Sequence, residues 1–190
     1  MNRLIAMFLC CAALAFGETE KDSRVGAGGV IFGEDFAFAF VIGAPPGWIF
    51  DTQSALAIGS RVVIYPEGSD LANTGVWISA NAFPLGGLSL ERWMDQDKSA
   101  LETDFPGLIV KDYPNLLTGD TLIALVRGWE PGSSDYELIE RAAYIRIGQH
   151  VAIISLSAIT KEAFNESLEA FAYVVRGFSN FKELLHKEQN

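Results

Sequence analysis

The sequence predicts an α+β fold, an α/β/α sandwich built on a mainly antiparallel sheet. Short runs rich in aromatic and β-branched residues end at turns containing proline or glycine, as strands do. Only two segments repeat apolar residues every three or four positions, and the order is strands, helix, strands, helix. This order does not fit a doubly wound parallel sheet. A chain of 190 residues that is 49% hydrophobic is long enough for one domain with a buried core.

Strands are predicted wherever an apolar run stops at turn residues. The predicted strands are 36–42, 60–65, 75–83, 108–113 and 121–129, followed by a long hairpin after Tyr136. Pro45 and Pro46 end the first strand, because proline cannot donate a hydrogen bond to a neighbouring strand. The hairpin turns at Gly148-Gln149, and a glycine in the first position favours a type II′ turn. Residues 18–35 are interpreted as a flexible, Gly-rich leader with a short strand near 30–32.

Two helices are predicted from their apolar spacing and their capping residues. Ser89 begins the first helix and Pro106-Gly107 stops it. Its apolar side carries Leu90, Trp93, Met94, Leu101 and Phe105. Thr160 caps the last helix, whose apolar side carries Phe164, Leu168, Phe171, Val175 and Phe178 and should pack on the sheet. Residues 181–190 form a polar C-terminal tail that extends this helix or frays.

Residues 1–17 have the pattern of a secretory signal peptide. Arg3 precedes an apolar block over 4–16, and small residues precede Glu18. As a helix the block reaches about 20 Å, which is less than the roughly 30 Å of a bilayer core. We therefore expect cleavage after Gly17, a periplasmic or secreted location and no membrane span. The alternative is an uncleaved helix that is buried in the domain.

The cysteines and the net charge narrow the range of functions. Cys10 and Cys11 both lie within the apolar block, and the large Leu9 stands where a lipid anchor requires a small residue. The mature chain would therefore have no lipid anchor, disulfide, reactive thiol or thiolate metal ligand. A net charge of −10 repels nucleic acid. Because the acidic residues are scattered, we interpret this charge as a source of solubility, and attraction to cationic partners is the alternative.

The sequence contains no motif that predicts a cofactor or a metal site. A dinucleotide-binding fingerprint requires a strand before its glycines and a helix after them. The glycine run at 26–29 has neither. His150 and His186 each lack neighbouring ligands in the sequence. Asp95 and Asp97 point about 200° apart on a helix, so we interpret them as part of a solvated face. No cofactor, metal or catalytic residue is expected.

Two residues are predicted to contact a partner. Trp129 comes one residue before the turn at 130–132, which would place it at the rim of the sheet, although packing in the core is the alternative. His150 follows the tight turn of the hairpin and is expected at the surface. A hydrolase that uses Ser155 or Ser157 with His150 remains a weaker hypothesis, based on the alternation of side chains along a strand.

The beginning and the end of the predicted domain resemble the PsbP-like superfamily, which includes extrinsic photosystem II subunits and small exported bacterial proteins. The residues that carry the resemblance are Phe40, Ile42, Pro45, Pro46, Gly47 and Trp48 at the front, and Phe164, Phe171, Val174, Val175, Gly177, Phe178 and Ser179 at the back. The order Phe178-Ser179 departs from the family's more frequent Ser-Phe. The resemblance implies a six- to seven-stranded antiparallel sheet flanked by helices, in a single domain over 36–180.

The resemblance and the signal pattern lead to a functional hypothesis. We expect an exported, non-enzymatic accessory or protein-binding protein of the periplasm or cell envelope, with another envelope protein as its partner. The alternative is a protein that binds a small ligand or a metal ion. Trp48, which directly follows the strand-ending prolines, is expected to fold back over the open end of the core as a plug.

Overall fold

The computed structural model describes residues 24–33 and 38–181. Several predictions fall on residues outside these ranges. They concern the signal peptide with both cysteines, the first residues of the leader, the start of the strand at 36–42, His186 and the rest of the tail at 182–190. Within them, no helix combines the length and the apolar character needed to cross a bilayer.

The described residues form ten strands and three α-helices. The strands are β1 Gly28–Phe32, β2 Ala39–Gly43, β3 Trp48–Asp51, β4 Val62–Pro66, β5 Val76–Pro84, β6 Ile109–Leu117, β7 Ile123–Glu130, β8 Ile139–Ile147, β9 His150–Ala158 and β10 Ser179–Asn180. The helices are α1 Leu90–Asp104, α2 Lys161–Glu166 and α3 Leu168–Gly177, and a 3₁₀-helix spans Ser54–Ile58.

Seven strands form one antiparallel sheet in the order β3-β4-β5-β9-β8-β7-β6. This sheet confirms the predicted α+β sandwich. A second, three-stranded sheet in the order β1-β2-β10 was not predicted. The long β8–β9 hairpin turns at Gly148, whose φ of 63° is the left-handed conformation that a glycine-first turn requires.

The main core lies between one face of the seven-stranded sheet and a layer formed by the β1–β2 hairpin, α2 and α3. On β9, Ala152, Ile154 and Leu156 point into this core, as their alternation predicts. Phe171 and Phe178 contribute from the last helix and the residue after it, and both are fully buried. The predicted packing of the C-terminal helix on the sheet is therefore confirmed.

The opposite face of the sheet is covered by α1. Met94 packs in a second core cluster with Tyr144 of β8 and Val151 of β9. Arg127 of β7 links α1 to the sheet. Its guanidinium donates to the carbonyl of Met94 in α1 at 3.0 Å and to the carboxylate of Asp112 in β6 at 2.7 Å. Helix α1 therefore lies against the part of the sheet that β7, β8 and β9 form.

The chain after the first predicted strand differs from the expectation. Gly47 has a φ of 76° and completes the turn after the prolines. Trp48 is the first residue of an unpredicted strand, β3, and pairs with Pro66 at the edge of the large sheet. Its side chain is half-buried against the main core. The predicted contact of Trp48 with the core is therefore observed, but Trp48 makes it from a strand at the edge of the sheet and not from a chain that folds back as a plug.

The ends of the predicted elements are only partly as expected. Ser89 and Thr160 accept hydrogen bonds from the first turns of α1 and α2, as predicted. The C-terminal helix is divided in two at Ser167, which is buried. Within the predicted flexible leader, Gly28–Phe32 forms β1, so the regular structure begins before residue 36.

Two aromatic residues of α3 provide a matched test of the core. Phe171 is 2% exposed and Tyr173 is 50% exposed. Replacing Phe171 with Ala should lower the free energy of unfolding by about 3–5 kcal/mol, because it leaves a cavity in the core. Replacing Tyr173 with Ala should change it by less than about 0.5 kcal/mol. Chemical denaturation measures both, and equal losses would contradict the described orientation of α3.

Candidate functional site

A cleft of about 890 Å³ opens between the β1–β2 hairpin and the outer side of α3. Ala44, Pro45, Trp48 and Ala170 contribute apolar surface to its lining. Pro45 and Trp48 contribute to the lining where the chain passes from β2 to β3, so the resemblance motif lies beside the cleft. The proline-glycine turn thus helps to shape the cleft.

The wall of the cleft on the hairpin side contains four glycines, Gly26, Gly28, Gly29 and Gly43. A Cβ atom on Gly28 would lie 2.9 Å from the carbonyl oxygen of Ile42 in the paired strand, so a larger residue does not fit there without a shift. With no side chains on these four residues, this wall exposes backbone. β1 is also an edge strand of the small sheet in the described part of the chain.

The helical wall of the cleft presents one stripe of side chains. Glu166, Glu169, Tyr173 and Arg176 are spaced by three, four and three residues, so they follow one side of the last two helices. All four are exposed. The core uses the opposite side of α3, so these side chains remain accessible to a partner.

His150 does not meet the serines that the hydrolase hypothesis requires. Its ring lies 5.1 Å from the ring of Phe38, on the side of the main core. Side chains alternate along β9, so Ser155 and Ser157, at odd separations from His150, point to the opposite face. The predicted pairing of Ser155 or Ser157 with His150 is therefore wrong. No group of three or more His, Cys, Asp or Glu side chains that could hold a metal occurs within the described ranges.

Trp129 lies in the core and not at the rim. It is 3% exposed, and its ring packs at 6.3 Å from that of Tyr144, in the cluster beneath α1. The predicted rim position is wrong, because β7 carries this residue onto the face that α1 covers. The indole ring therefore offers almost no surface to a protein partner. Its Nε1–H is buried and has no hydrogen-bond partner.

A polar row crosses the sheet next to Trp129. Glu140 of β8 pairs with Trp129 on one side and with Ser157 on the other. The hydroxyl groups of Tyr136 and Ser157 donate to its carboxylate. Burial raises the pKa of Glu140, the hydrogen bonds from Ser157 and Tyr136 oppose that shift, and the charge of Asp97 adds to it. The sequence analysis did not single out this glutamate.

Asp97 approaches the same region from α1. The Tyr144 hydroxyl donates to its carboxylate at 2.7 Å. Burial raises the pKa of Asp97, although Tyr144 and the charge of Arg127 partly offset this. The interpretation of Asp97 as part of a solvated face is wrong. Its spacing of three from Met94 and four from Leu101 places it on the apolar side of the helix, and this pattern was available in the sequence.

The raised pKa of Glu140 predicts how stability depends on pH. The folded state holds this proton more tightly than the unfolded chain, whose reference pKa is 4.5. The free energy of unfolding should therefore fall as the pH rises from about 4.5 to the raised value and then level off. Replacing Glu140 with Gln should reduce that slope. Glu137→Gln, at an exposed position, is the matched control. Denaturation at several pH values measures the slope, and an unchanged slope in E140Q would contradict the assignment.

The comparisons with known proteins concern the fold. No protein-family model and no curated protein matches the sequence. The solution structure of cyanobacterial PsbP (CyanoP) from Synechocystis sp. PCC 6803 matches with a TM-score of 0.51 at 12% identity, covering 84% of this chain and 96% of that one. The Ran-binding protein Mog1p from Saccharomyces cerevisiae matches with a TM-score of 0.48 at 14% identity, covering 80% and 95%. The expected resemblance is confirmed at the level of architecture: the chain has a PsbP-like fold.

Proposed function

We propose that this protein is an exported, non-enzymatic accessory protein that binds another protein of the periplasm or cell envelope through the cleft. One observation carries this proposal: the cleft has a glycine-rich wall formed by the β1–β2 hairpin and, facing it, a row of exposed side chains on the last two helices. The exposed side chains of the helical stripe, Glu166, Glu169, Tyr173 and Arg176, take no part in the core. A surface of this kind suits recognition of an extended polypeptide segment.

The two walls favour a partner segment of particular chemistry. β1 is an edge strand of the small sheet, so the side of its backbone that does not pair with β2 suits main-chain hydrogen bonding to an extended segment. Tyr173 provides an exposed aromatic ring, a residue type that often contributes to protein interfaces. Glu166 and Glu169 favour a basic side chain in the segment, in keeping with the net charge of −10. We therefore expect a partner with a basic, extended segment.

The non-enzymatic part of the proposal is supported by the separation of the reactive side chains. His150 and the serines of β9 point to opposite faces of the sheet, so they do not form a nucleophile and base. Export is supported by the sequence of residues 1–17, in which a basic residue, an apolar block and small residues occur in the order of a signal peptide.

Photo-crosslinking in cells tests the cleft. A photoreactive amino acid in place of Tyr173 should give a crosslinked product with an envelope protein, because this position lines the cleft and is 50% exposed. The same group in place of Leu56, which is 76% exposed on the 3₁₀-helix, is the control. Equal crosslinking at both positions, or none at Tyr173, would reject the cleft as the binding surface.

Charge reversal tests the helical stripe. Glu169→Lys should lower the affinity for the partner identified by crosslinking by about tenfold, because it replaces an attractive charge with a repulsive one. Glu162→Lys is the matched control, since it makes the same change at an exposed position of α2 outside the cleft. Binding that falls equally in both variants would indicate general electrostatic attraction and not a site.

The N-terminus of the protein isolated from cells tests export. Mass spectrometry should find a chain that begins at Glu18, in the periplasmic or secreted fraction. Replacing Leu9 with Arg should keep the full-length chain inside the cell, because a charge interrupts the apolar block. A full-length chain in the cytoplasm of the unmodified strain would contradict the proposal.

A further inference from the structure

Of the four glycines on the hairpin side of the cleft, three are required by their surroundings. Gly26 has a φ of 66°, a conformation that residues with side chains rarely adopt. A Cβ atom on Gly28 would lie 2.9 Å from a carbonyl oxygen of β2, and a Cβ atom on Gly29 would lie 3.4 Å from the ring of Phe50. The fourth glycine, Gly43, meets none of these conditions.

Neither the backbone nor the packing requires a glycine at position 43. Gly43 pairs with Gly28, and its φ lies outside the left-handed region. A Cβ atom there would find its nearest described neighbours at 3.8 Å, which is ordinary van der Waals contact. The pairing continues past this residue, because the Ala44 N–H donates to the Ala27 carbonyl at 2.8 Å. Glycine within a paired strand weakens the strand, and it often marks a place where a ligand or another chain approaches closely.

The pair of Gly28 and Gly43 forms a floor of backbone in the cleft. Side chains alternate along β2, and Phe40 and Ile42 enter the main core. The Cβ position of Gly43 therefore lies on the opposite face of the strand, and both glycines of the pair line the cleft. A flat group can lie on this floor, because no side chain of the pair stands in its way.

The surroundings of this floor favour an aromatic ring. Pro45, Trp48 and Tyr173 line the same cleft, and aromatic rings pack well against one another. In sheets, an aromatic side chain often covers the backbone that a glycine leaves exposed. The chain does not supply such a ring here, since no described aromatic atom lies within 4 Å of the Cβ position of Gly43. A partner can supply it.

We propose that the floor formed by Gly28 and Gly43 binds an aromatic side chain of the partner. This inference rests on the proposed function, because it names the group by which the partner's extended segment enters the cleft. The ring lies on the backbone of the glycine pair, beside Trp48 and Tyr173. A basic residue next to the aromatic residue is then attracted by Glu169 on the helical wall. The partner is therefore recognised by an aromatic residue that adjoins a basic one.

A substitution at Gly43 separates binding from folding. Gly43→Val places a side chain where the ring would lie, and it should melt at or above the temperature of the unmodified protein, because valine favours strands and the space is open. Gly75→Val is the matched control. Gly75 is exposed, has no atom within 4 Å of its Cβ position, has no left-handed φ and lies outside the cleft. Gly43→Ala is a smaller change for use if G43V melts lower.

Nuclear magnetic resonance titration of the isotope-labelled protein with three capped tripeptides tests the ring. The probes are Ac-Lys-Trp-Lys-NH₂, Ac-Lys-Leu-Lys-NH₂ and Ac-Lys-Ala-Lys-NH₂, which differ only in the central side chain. The tryptophan peptide should bind about tenfold more tightly than the alanine peptide and at least about threefold more tightly than the leucine peptide, because ring stacking adds to apolar contact. It should shift the amide signals of Gly28 and Gly43. G43V should remove this preference, and G75V should keep it.

Several outcomes would overturn the proposal. Equal binding of the tryptophan and leucine peptides would show a floor that accepts any apolar side chain. Signal changes confined to residues outside the cleft, or no binding at millimolar concentrations, would reject the aromatic site.

Photo-crosslinking at Tyr173 in cells separates this inference from the proposed function. A crosslink that is weaker in G43V than in G75V would support the aromatic site. A crosslink of equal strength in the two variants would reject that site and leave the cleft as the binding surface. No crosslink at Tyr173 in the protein with Gly43 unchanged would reject the proposed function itself.

Discussion

The alternation of side chains across the seven-stranded sheet determines most of what this protein presents to its surroundings. Each strand sends successive residues to opposite faces, so the two faces have different compositions. On β9, Ile154 and Leu156 face the last helices, while Ser155 and Ser157 face the side of α1. One face is mainly apolar and is closed by α2, α3 and the small sheet, with Arg141 stacked there on the rings of Tyr113 and Phe164. The other is covered by α1 and, over β3 and β4, by the 3₁₀-helix with its buried Ala55. A polar row crosses this face beside α1.

This arrangement separates two regions of the protein. The cleft beside α3 uses side chains that the core leaves out, above all Tyr173, together with backbone on the glycine hairpin. On the α1 side, the sheet and the helix bring together the carboxyl groups of Glu140 and Asp97, and burial raises the pKa of both. The sheet lies between these carboxyl groups and the cleft.

The fold could be predicted well from the sequence because its signals are local. Proline and glycine mark the ends of strands, and the apolar spacing marks both helical regions. The short strand β3 was missed, because four residues directly after a turn give too little alternation to be recognised. Trp129 was misplaced because its distance from a turn along the chain says nothing about which layer covers it. The link between Asp97 and Tyr144 joins residues 47 positions apart, and no local pattern reports such contacts.

Hydrogen–deuterium exchange on the protein with its crosslinked or copurified partner tests the central claim most directly. The account predicts slower exchange in the hairpin around Gly28–Phe32 and in α3, Leu168–Gly177, which form the two walls of the cleft. Exchange in α1, Leu90–Asp104, should be unchanged. Protection confined to α1 and the strands beneath it would contradict the account, because it would place the partner on the opposite face of the sheet.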